Sequence, residues 1–548
     1  MANAYQPFPI TEFKTGLHNY LQSWIRPIDA FEPLVNAYVY RGTVNKRAGS
    51  SIYGNQLADT NPVMGLMQYI NASTGVVSLL AGTTANLYLY DVGTNTFLTP
   101  SLATFTGNIT NFFNWTNWQP TSNVGNLLYM TNNKDNITTY DGTVAATPTI
   151  TVRTGVTITY ALDVKVYKNR LLLIRPKLSS SSFPENQAIY WSALQNPSNF
   201  LVDVAGNGGF IEAPTSDVIL SAEFLRDVLV VFFTHSTWLF RYTGNETNPF
   251  RWDKVNDSKS TNTPYASVEY DERVTSIGAT GLIACDGTNV QRYDIPIIDY
   301  YESSFSEAYY AQAFSQRYDN LNQTWTLYVS SGNDFPVIGD VAPGSDQALV
   351  YNFLEKSWAT YTFQVPMTCL GLFYAQSGRT WASFNVSPDN DWDNTDTAWN
   401  SYYNQSRAPI LLAGDTSGNV YYMDDGDEVT DNGTSIVPTI VTTRWNPIIQ
   451  AGQKVQFGYI DIYYKIVSTI ATPIWVTLDF YVDNSSKSAL TKTLTLDGPT
   501  NSSYAFKRIY VNLIGEFIQM EIDPNVNSFM QFVGFVLWAR PAGRLTPP

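Results

Sequence analysis

Residue types able to do acid–base or nucleophilic chemistry are scarce in this 548-residue chain, which holds 2 His and 2 Cys. His18 lies near the N-terminus, and His235 follows the apolar run Val228-Leu229-Val230-Val231-Phe232-Phe233, so a Ser/His/Asp triad or a multi-histidine metal site has almost no material. His235 reads as a turn or structural histidine. Cys285 and Cys369 have no zinc-type spacing and read as buried free thiols. The acidic run Asp424-Asp425-Gly426-Asp427-Glu428 offers oxygen ligands for calcium, but it lacks the alternating spacing and distal Glu of a calcium loop, and a solvated turn is expected. Asp415-Thr416-Ser417-Gly418-Asn419 reads as a hairpin turn. Gly206-Asn207-Gly208-Gly209 is followed by Phe210-Ile211 and then Pro214, so no helix begins there to receive a phosphate. No catalytic residue, cofactor-binding residue or metal ligand is therefore assigned, and no cofactor is expected. Two carboxylates at the axial mouth of a β-propeller could cleave a glycoside, but with 47 Asp and Glu the sequence does not locate such a pair.

The elements around these residues read as strands. Short apolar runs alternate with turn clusters about every ten residues from roughly residue 60 to 440. Examples are Leu87-Tyr88-Leu89-Tyr90, Leu127-Leu128-Tyr129-Met130 and Gly281-Leu282-Ile283-Ala284-Cys285. Asp-Gly-Thr recurs in the turns, at Asp141-Gly142-Thr143 and Asp286-Gly287-Thr288, where Gly supplies the positive φ that tight hairpins require.

One eight-residue word occurs three times: Tyr90-Asp91-Val92-Gly93-Thr94-Asn95-Thr96-Phe97, Tyr318-Asp319-Asn320-Leu321-Asn322-Gln323-Thr324-Trp325 and Tyr351-Asn352-Phe353-Leu354-Glu355-Lys356-Ser357-Trp358. If its middle four residues form a hairpin loop, Tyr faces the last aromatic and Asp/Asn faces Thr/Ser. A repeated staple implies a repeated small sheet, and radial repetition of such sheets is how a β-propeller protects its edges.

Past residue 440 the staple stops and longer strict alternation begins, with Ile474, Val476, Leu478, Phe480 and Val482 on one face of a strand. The expected organisation is all-β: an N-terminal arm and first strand over 1–58, a propeller of about six blades with loop insertions over 59–440, and a C-terminal β-sandwich over 441–548, with the boundary near Trp445-Asn446-Pro447. Ser179 to Ser182 and the polar stretch Pro388 to Arg407 are expected to project as loops, and one short helix is expected within residues 300–314.

Composition agrees. Aromatics and charged residues each make up 14% of the chain, and the low charged fraction leaves Asn, Thr, Ser, Gln and Tyr to build the surface, which suits pleated sheets better than long helices. The formal charge of −15 disfavours specific binding to DNA or to anionic membrane. The N-terminus shows no basic region followed by an apolar run, and no 18-residue apolar stretch occurs, so synthesis in a cytosol without a membrane span is expected.

Several segments, in order along the chain, resemble the tail nozzle or stabilization proteins of short-tailed bacteriophages, a group whose counterpart in crAss-like phages is called a muzzle component. They are Phe13-Lys14-Thr15-Gly16-Leu17-His18-Asn19; Asn36 through Gly42 to Lys46-Arg47-Ala48-Gly49; Tyr190-Trp191-Ser192 with Asn196-Pro197 and Phe200; Phe224 to Trp238; and Trp538-Ala539-Arg540-Pro541-Ala542-Gly543-Arg544. One glycine stands where the family often has two, and Ala48 replaces the family's proline. The resemblance implies a non-enzymatic virion part at the distal tail. Copies, six by family analogy, would form a ring through which genomic DNA passes without specific binding, in contact with adaptor or portal-proximal ring proteins and tail fibres. It also implies that the arm carrying Lys46 and Arg47 ties the ring or the first blade together. A glycan-binding or glycoside-cleaving propeller is the alternative.

Overall fold

The computed structural model describes residues 4–71, 77–99, 101–119, 126–204, 206–333, 344–374, 409–426, 428–447, 453–466, 474–496, 504–524 and 530–544. The stretch from Pro388 to Arg407 lies outside them.

The described residues form a β-propeller of seven blades, one more than about six. Five four-stranded units follow in chain order, with innermost strands Val63–Ile70, Asn114–Trp118, Asp163–Tyr167, Ile219–Leu225 and Val268–Tyr270. The first unit carries an additional short strand, and a separate three-stranded sheet, Ile150–Arg153, Val156–Tyr160 and Lys177–Leu178, lies between the second and third. The sixth blade begins at Phe314–Tyr318 and continues through Gln323–Tyr328 and Ser345–Asn352 to Ser357–Phe373. That last strand is 17 residues long and serves two blades: its first part closes the sixth, and its second part, from Met367, pairs with Ile410–Asp415 to open the seventh. Val420–Asp425 follows, and the outermost strand of the seventh blade is Gly49–Ile52 from the N-terminal segment. A shared strand and a borrowed one hide the seventh blade from a linear reading.

The blades pack through apolar layers between them, as stacked sheets with alternating faces must. Leu225, Val230 and Phe232 of the fourth blade meet Val274, Ile283 and Cys285 of the fifth. Where the seventh blade meets the first, side chains are too large. A Cβ on Gly371 would lie 2.6 Å from the Cβ of Leu66, and one on Gly414 would lie 2.5 Å from that of Val63. Thr368 Oγ1 donates to the Val63 carbonyl across this joint.

The staple has the expected register in two of its three copies. Phe97 lies opposite Tyr90 and Thr96 opposite Asp91; Trp358 lies opposite Tyr351 and Ser357 opposite Asn352. The ring centroids are 5.2 Å and 4.4 Å apart. In both, the sixth residue takes the left-handed conformation that closes the loop, Asn95 at φ 55° and Lys356 at φ 58°. The copy at 318–325 is shifted by one residue. Asn322 takes the left-handed position at φ 54°, so Tyr318 pairs with Gln323, and Trp325 lies opposite Gln316. Asn tolerates that conformation better than Gln, and it wins the turn. Tyr318 and Trp325 still meet diagonally, edge to face at 6.4 Å.

The Asp-Gly-Thr turns behave as read: Asp141 Oδ1 accepts from the Thr143 and Val144 amides, and Asp286 Oδ1 from those of Thr288 and Asn289, each at 2.7–2.8 Å. The loop after Ser179 projects, with Phe183 exposed. The expected single helix is instead an α-helix, Ile298–Ser304, followed by a 3-10 segment, Glu307–Gln312.

The N-terminal segment is more than an arm with one strand, because it supplies six strands before residue 53. Beyond the propeller lie two groups of strands. Gln6–Ile10, Thr43–Lys46, Gln453–Ile466, Ala505–Gly515 and Met530–Arg544 belong to one sheet. Ala30–Val35, Thr439–Thr442, Ile474–Val482, Leu490–Leu496 and Ile518–Pro524 belong to the other, which continues into the sixth and seventh blades. Val476, Leu478 and Phe480 share one buried cluster with Phe457, Ile460 and Leu537. The C-terminal strands thus fold together with N-terminal ones, and Trp445, expected near a boundary, is buried and bridges to Ile518 through both backbone groups.

Candidate functional site

Two constellations stand out: a buried clasp that fastens the N-terminal segment to the end of the propeller, and a polar cavity on the propeller axis.

The clasp is built on Arg47, which is 2% exposed. Its Nε donates to Asn36 Oδ1 at 2.9 Å, Nη1 to Asp431 Oδ1 at 3.0 Å and to the Ala48 carbonyl at 3.2 Å, and Nη2 to the Thr362 carbonyl at 2.9 Å. Nη2 also donates to Asp431 Oδ2, so all five N–H groups of the guanidinium have acceptors and the pairing with Asp431 is bidentate. The rings of Tyr361 and Phe363 flank it at 5.6 Å each. Asn36, itself left-handed at φ 53°, donates through Nδ2 to Thr362 Oγ1 and to the Val437 carbonyl.

Lys46 is buried alongside, its Nζ 3.4 Å from the Val429 carbonyl; burial, and then the neighbouring Arg47, lower its pKa to about 8. Gly49 admits no side chain, because a Cβ would overlap the Thr430 carbonyl. Gly16, at φ 68°, pairs with Trp358 of the third staple, and a Cβ there would lie 2.6 Å from the Trp358 carbonyl. Residues 16 and 36–49 therefore lock onto the sixth and seventh blades, not the first, and the Arg47 guanidinium is fully engaged in hydrogen bonds.

The axial cavity is lined by inner strands. A space of about 350 Å³ is bounded by residues including Asn114, Lys165, Glu223, Glu269 and Ser315. An adjoining space of about 250 Å³, walled partly by Leu66, Gln68 and Leu370, shares Phe113, Trp115, Phe314 and Gln316 with it. Together these residues come from all seven inner strands or the residues just before them. Lys165 Nζ lies 2.8 Å from Glu223 Oε2 and 3.7 Å from Asp163 Oδ2. Burial, outweighing Lys165, pushes the Asp163 carboxyl up to about 6. Arg317 Nη1 donates to Glu269 Oε2 at 2.7 Å. The arrangement joins neighbouring blades by ion pairs and leaves two small spaces on the axis.

The other residues read from the sequence lie elsewhere. His18 is buried in the N-terminal segment, its pKa lowered by burial and by Arg26. His235 is an exposed turn residue of the fourth blade, 3.1 Å from Asp217 Oδ1. Asp424 accepts from Tyr318 Oη at 3.0 Å and Asp425 from Ser51 Oγ at 2.8 Å; Asp427 lies outside the described residues, among which no three His, Cys, Asp or Glu side chains are grouped to hold a metal. Asp415 caps its hairpin, accepting from the Ser417 and Asn419 amides. Gly208 and Gly209 are packing residues, since a Cβ would come within 2.5 Å of the Phe200 backbone and of the Trp191 ring respectively. Cys285 and Cys369 are free and buried; burial pushes their thiols up to about 11 and about 12. The sequence reading missed Asp163, Lys165 and Glu223. Their signal was faint: lone charges inside apolar strands of a chain poor in charge.

No family model matches the chain, and no curated protein matches it by sequence. Among solved structures it is similar to a glycoside hydrolase family 43 arabinoxylan arabinofuranohydrolase from Bacillus subtilis, with 8% identity, 93% of this chain and 95% of that one covered, and a TM-score of 0.22. It is also similar to Kluyveromyces lactis Hsv2 (10% identity, 56% and 98% covered, TM-score 0.27) and to the WD40 domain of SCAP from fission yeast (7%, 76% and 98%, TM-score 0.32). Overlaps this loose carry no argument about activity. Among the described residues, no helix is long and apolar enough to cross a membrane.

Proposed function

We propose that this chain is a non-enzymatic structural protein of a short-tailed phage virion, the distal tail nozzle. In this reading, copies form a ring through which the genome leaves and on which adaptor or portal-proximal ring proteins and tail fibres are seated. The protein is made in the host cytoplasm and ends in the virion tail. The observation that carries the reading is the clasp. The N-terminal segments that bear the family resemblance, Gly16 and Asn36 through Lys46, Arg47 and Gly49, serve to fasten a propeller shut, as a rigid wall element requires. The small spaces on the propeller axis favour a genome path through the ring's lumen, between copies. A surplus of acids on the lumen wall would repel the phosphate backbone and keep passage free of binding. A solved ring with a bore lined by Lys and Arg would contradict that charge placement.

A second reading, a glycan-binding or glycoside-cleaving propeller, rests on Glu223, which lines the axial cavity, and on the buried Asp163 that shares Lys165 with it, whose carboxyl is held protonated to higher pH as a general acid needs. Lys165 is ion-paired to both carboxylates, which holds them in a charge-compensated cluster. Electron microscopy and mass measurement of the purified chain, alone and with its tail partners, together with a glycan panel, separate the two. The nozzle reading expects rings and no turnover; a small oligomer that hydrolyses a glycan would overturn it.

A further inference from the structure

The axial cavity carries hydrogen-bonding atoms that the fold itself does not use. Asn114 donates through Nδ2 to the Leu162 carbonyl at 3.0 Å, and Gln316 through Nε2 to the Arg317 carbonyl at 3.2 Å, so each amide is anchored by its nitrogen. Both side chains line the larger space, and among the described residues neither amide oxygen accepts a hydrogen bond. Gln68, which is 3% exposed, lines the smaller space. Its Oε1 accepts from the Tyr374 amide at 3.2 Å, while its Nε2 has no acceptor among the described residues. A buried donor without a partner is a cost that a ligand oxygen would relieve.

The wall also narrows the chemistry of what it can bind. Lys165 is paired with Glu223, and Glu269 with Arg317, so each charged side chain lining the larger space already has a counter-ion. An ionic ligand finds no unpaired charge there. Phe113, Trp115 and Phe314 line both spaces and supply ring surface to the same walls. Spaces of about 350 Å³ and about 250 Å³ lie at the lower end of small-molecule sites, which run from about 300 to 1,000 Å³. The ligand that suits this wall is small and neutral, with an apolar face for the aromatic rings and several groups that both donate and accept. A saccharide ring meets each requirement: its hydroxyls donate to the Asn114 and Gln316 oxygens and accept from Gln68 Nε2, and its C–H faces are apolar.

We propose that the axial cavity is a binding site for a neutral saccharide ring, seated against Phe113, Trp115 and Phe314 and hydrogen-bonded by Asn114, Gln316 and Gln68. The three amides belong to the second, sixth and first blades, so a bound ring spans the axis. The proposal rests on the glycan-binding half of the second reading and deepens it; it asks for no bond cleavage and is compatible with a nozzle.

Calorimetry and saturation-transfer NMR on the full chain test it, with free hexoses, N-acetylhexosamines and 6-deoxyhexoses as probes and inorganic phosphate and uridine as contrasts. Saturable binding of at least one sugar and of neither contrast is expected, with a melting temperature that rises as that sugar is added. Trp115→Leu and Gln316→Leu are each expected to weaken the binding about tenfold, the loss of one aromatic face or one hydrogen-bond partner. His235→Ala, on an exposed turn of the fourth blade, is expected to leave it unchanged. Oxidative footprinting of the parent chain keeps the site testable if a variant does not fold, since Trp115 should lose reactivity when the sugar is present. No saturable sugar binding would overturn the proposal, as would binding that spares Trp115 and both variants, or binding of phosphate or uridine alone. Turnover of a glycan without protection of Trp115 would overturn this site and keep the second reading. Sugar bound at Trp115 without turnover would support the site and remove the glycoside-cleaving reading.

Discussion

Arg47 is where the cost of a single change is most sharply defined. Its charge is buried against Asp431, and removing one partner of a buried pair leaves the other uncompensated, at about 3–5 kcal/mol. Arg47→Met is therefore expected to lower the denaturation midpoint strongly, and adding Asp431→Leu should recover part of the loss; an unchanged midpoint for the single variant would mean that the clasp is not structural. Asp163 gives a pH test with a definite sign. Its folded pKa, about 6, lies above the ordinary carboxylate value of about 4, so its contribution is fully present below about pH 4 and is lost as pH rises through 6. Asp163→Asn should gain stability relative to the parent between pH 4 and pH 7, measured as the difference in melting temperature at each pH. A difference that is flat with pH would contradict the burial of this carboxyl. The resemblance implies that Lys46 and Arg47 tie the ring or the first blade together, whereas Arg47 binds Thr362 and Asp431; nothing in the spacing of residues 47 and 431 marks Asp431 as the counter-ion.

At the scale of elements, the staple carries the argument. Trp358 is buried against Tyr351 and Tyr293, which joins the fifth blade to the sixth, and its carbonyl is covered by Gly16. Truncating a buried aromatic costs about 3–5 kcal/mol, so Trp358→Ala and Tyr351→Ala should each lower stability and impair assembly, and the double variant should cost less than the two singles added. Normal thermal stability in either single variant would remove the staple's structural role. Strand alternation and turn chemistry were legible because both act over a few residues: Asp141 and Asp286 cap their own turns, and Val476, Leu478 and Phe480 alternate into a core. The middle copy of the staple slipped because Asn322 competes with Gln323 for one left-handed position. The seventh blade was hidden because Gly49–Ile52 and Val420–Asp425 pair across most of the chain, which no local pattern encodes.

For the whole molecule, an N-terminal segment that fastens the last blades and also enters both C-terminal sheets makes the propeller and the C-terminal strands one mechanical unit. In the nozzle reading, such a unit would suit a wall that keeps its shape while DNA moves past. In that reading, the low charged fraction would favour broad polar contacts between copies, with Tyr and Trp as anchors. The axial ion pairs were not legible in the sequence, since Lys165 meets Glu223 only when the third and fourth blades pack side by side. The most direct measurement is labelled electron microscopy with mass spectrometry of purified virions, using an antibody to this chain. The expected result is several copies forming a ring at the distal end of the tail. A chain missing from the particles, or found only as a free small oligomer that turns over glycans, would contradict the account.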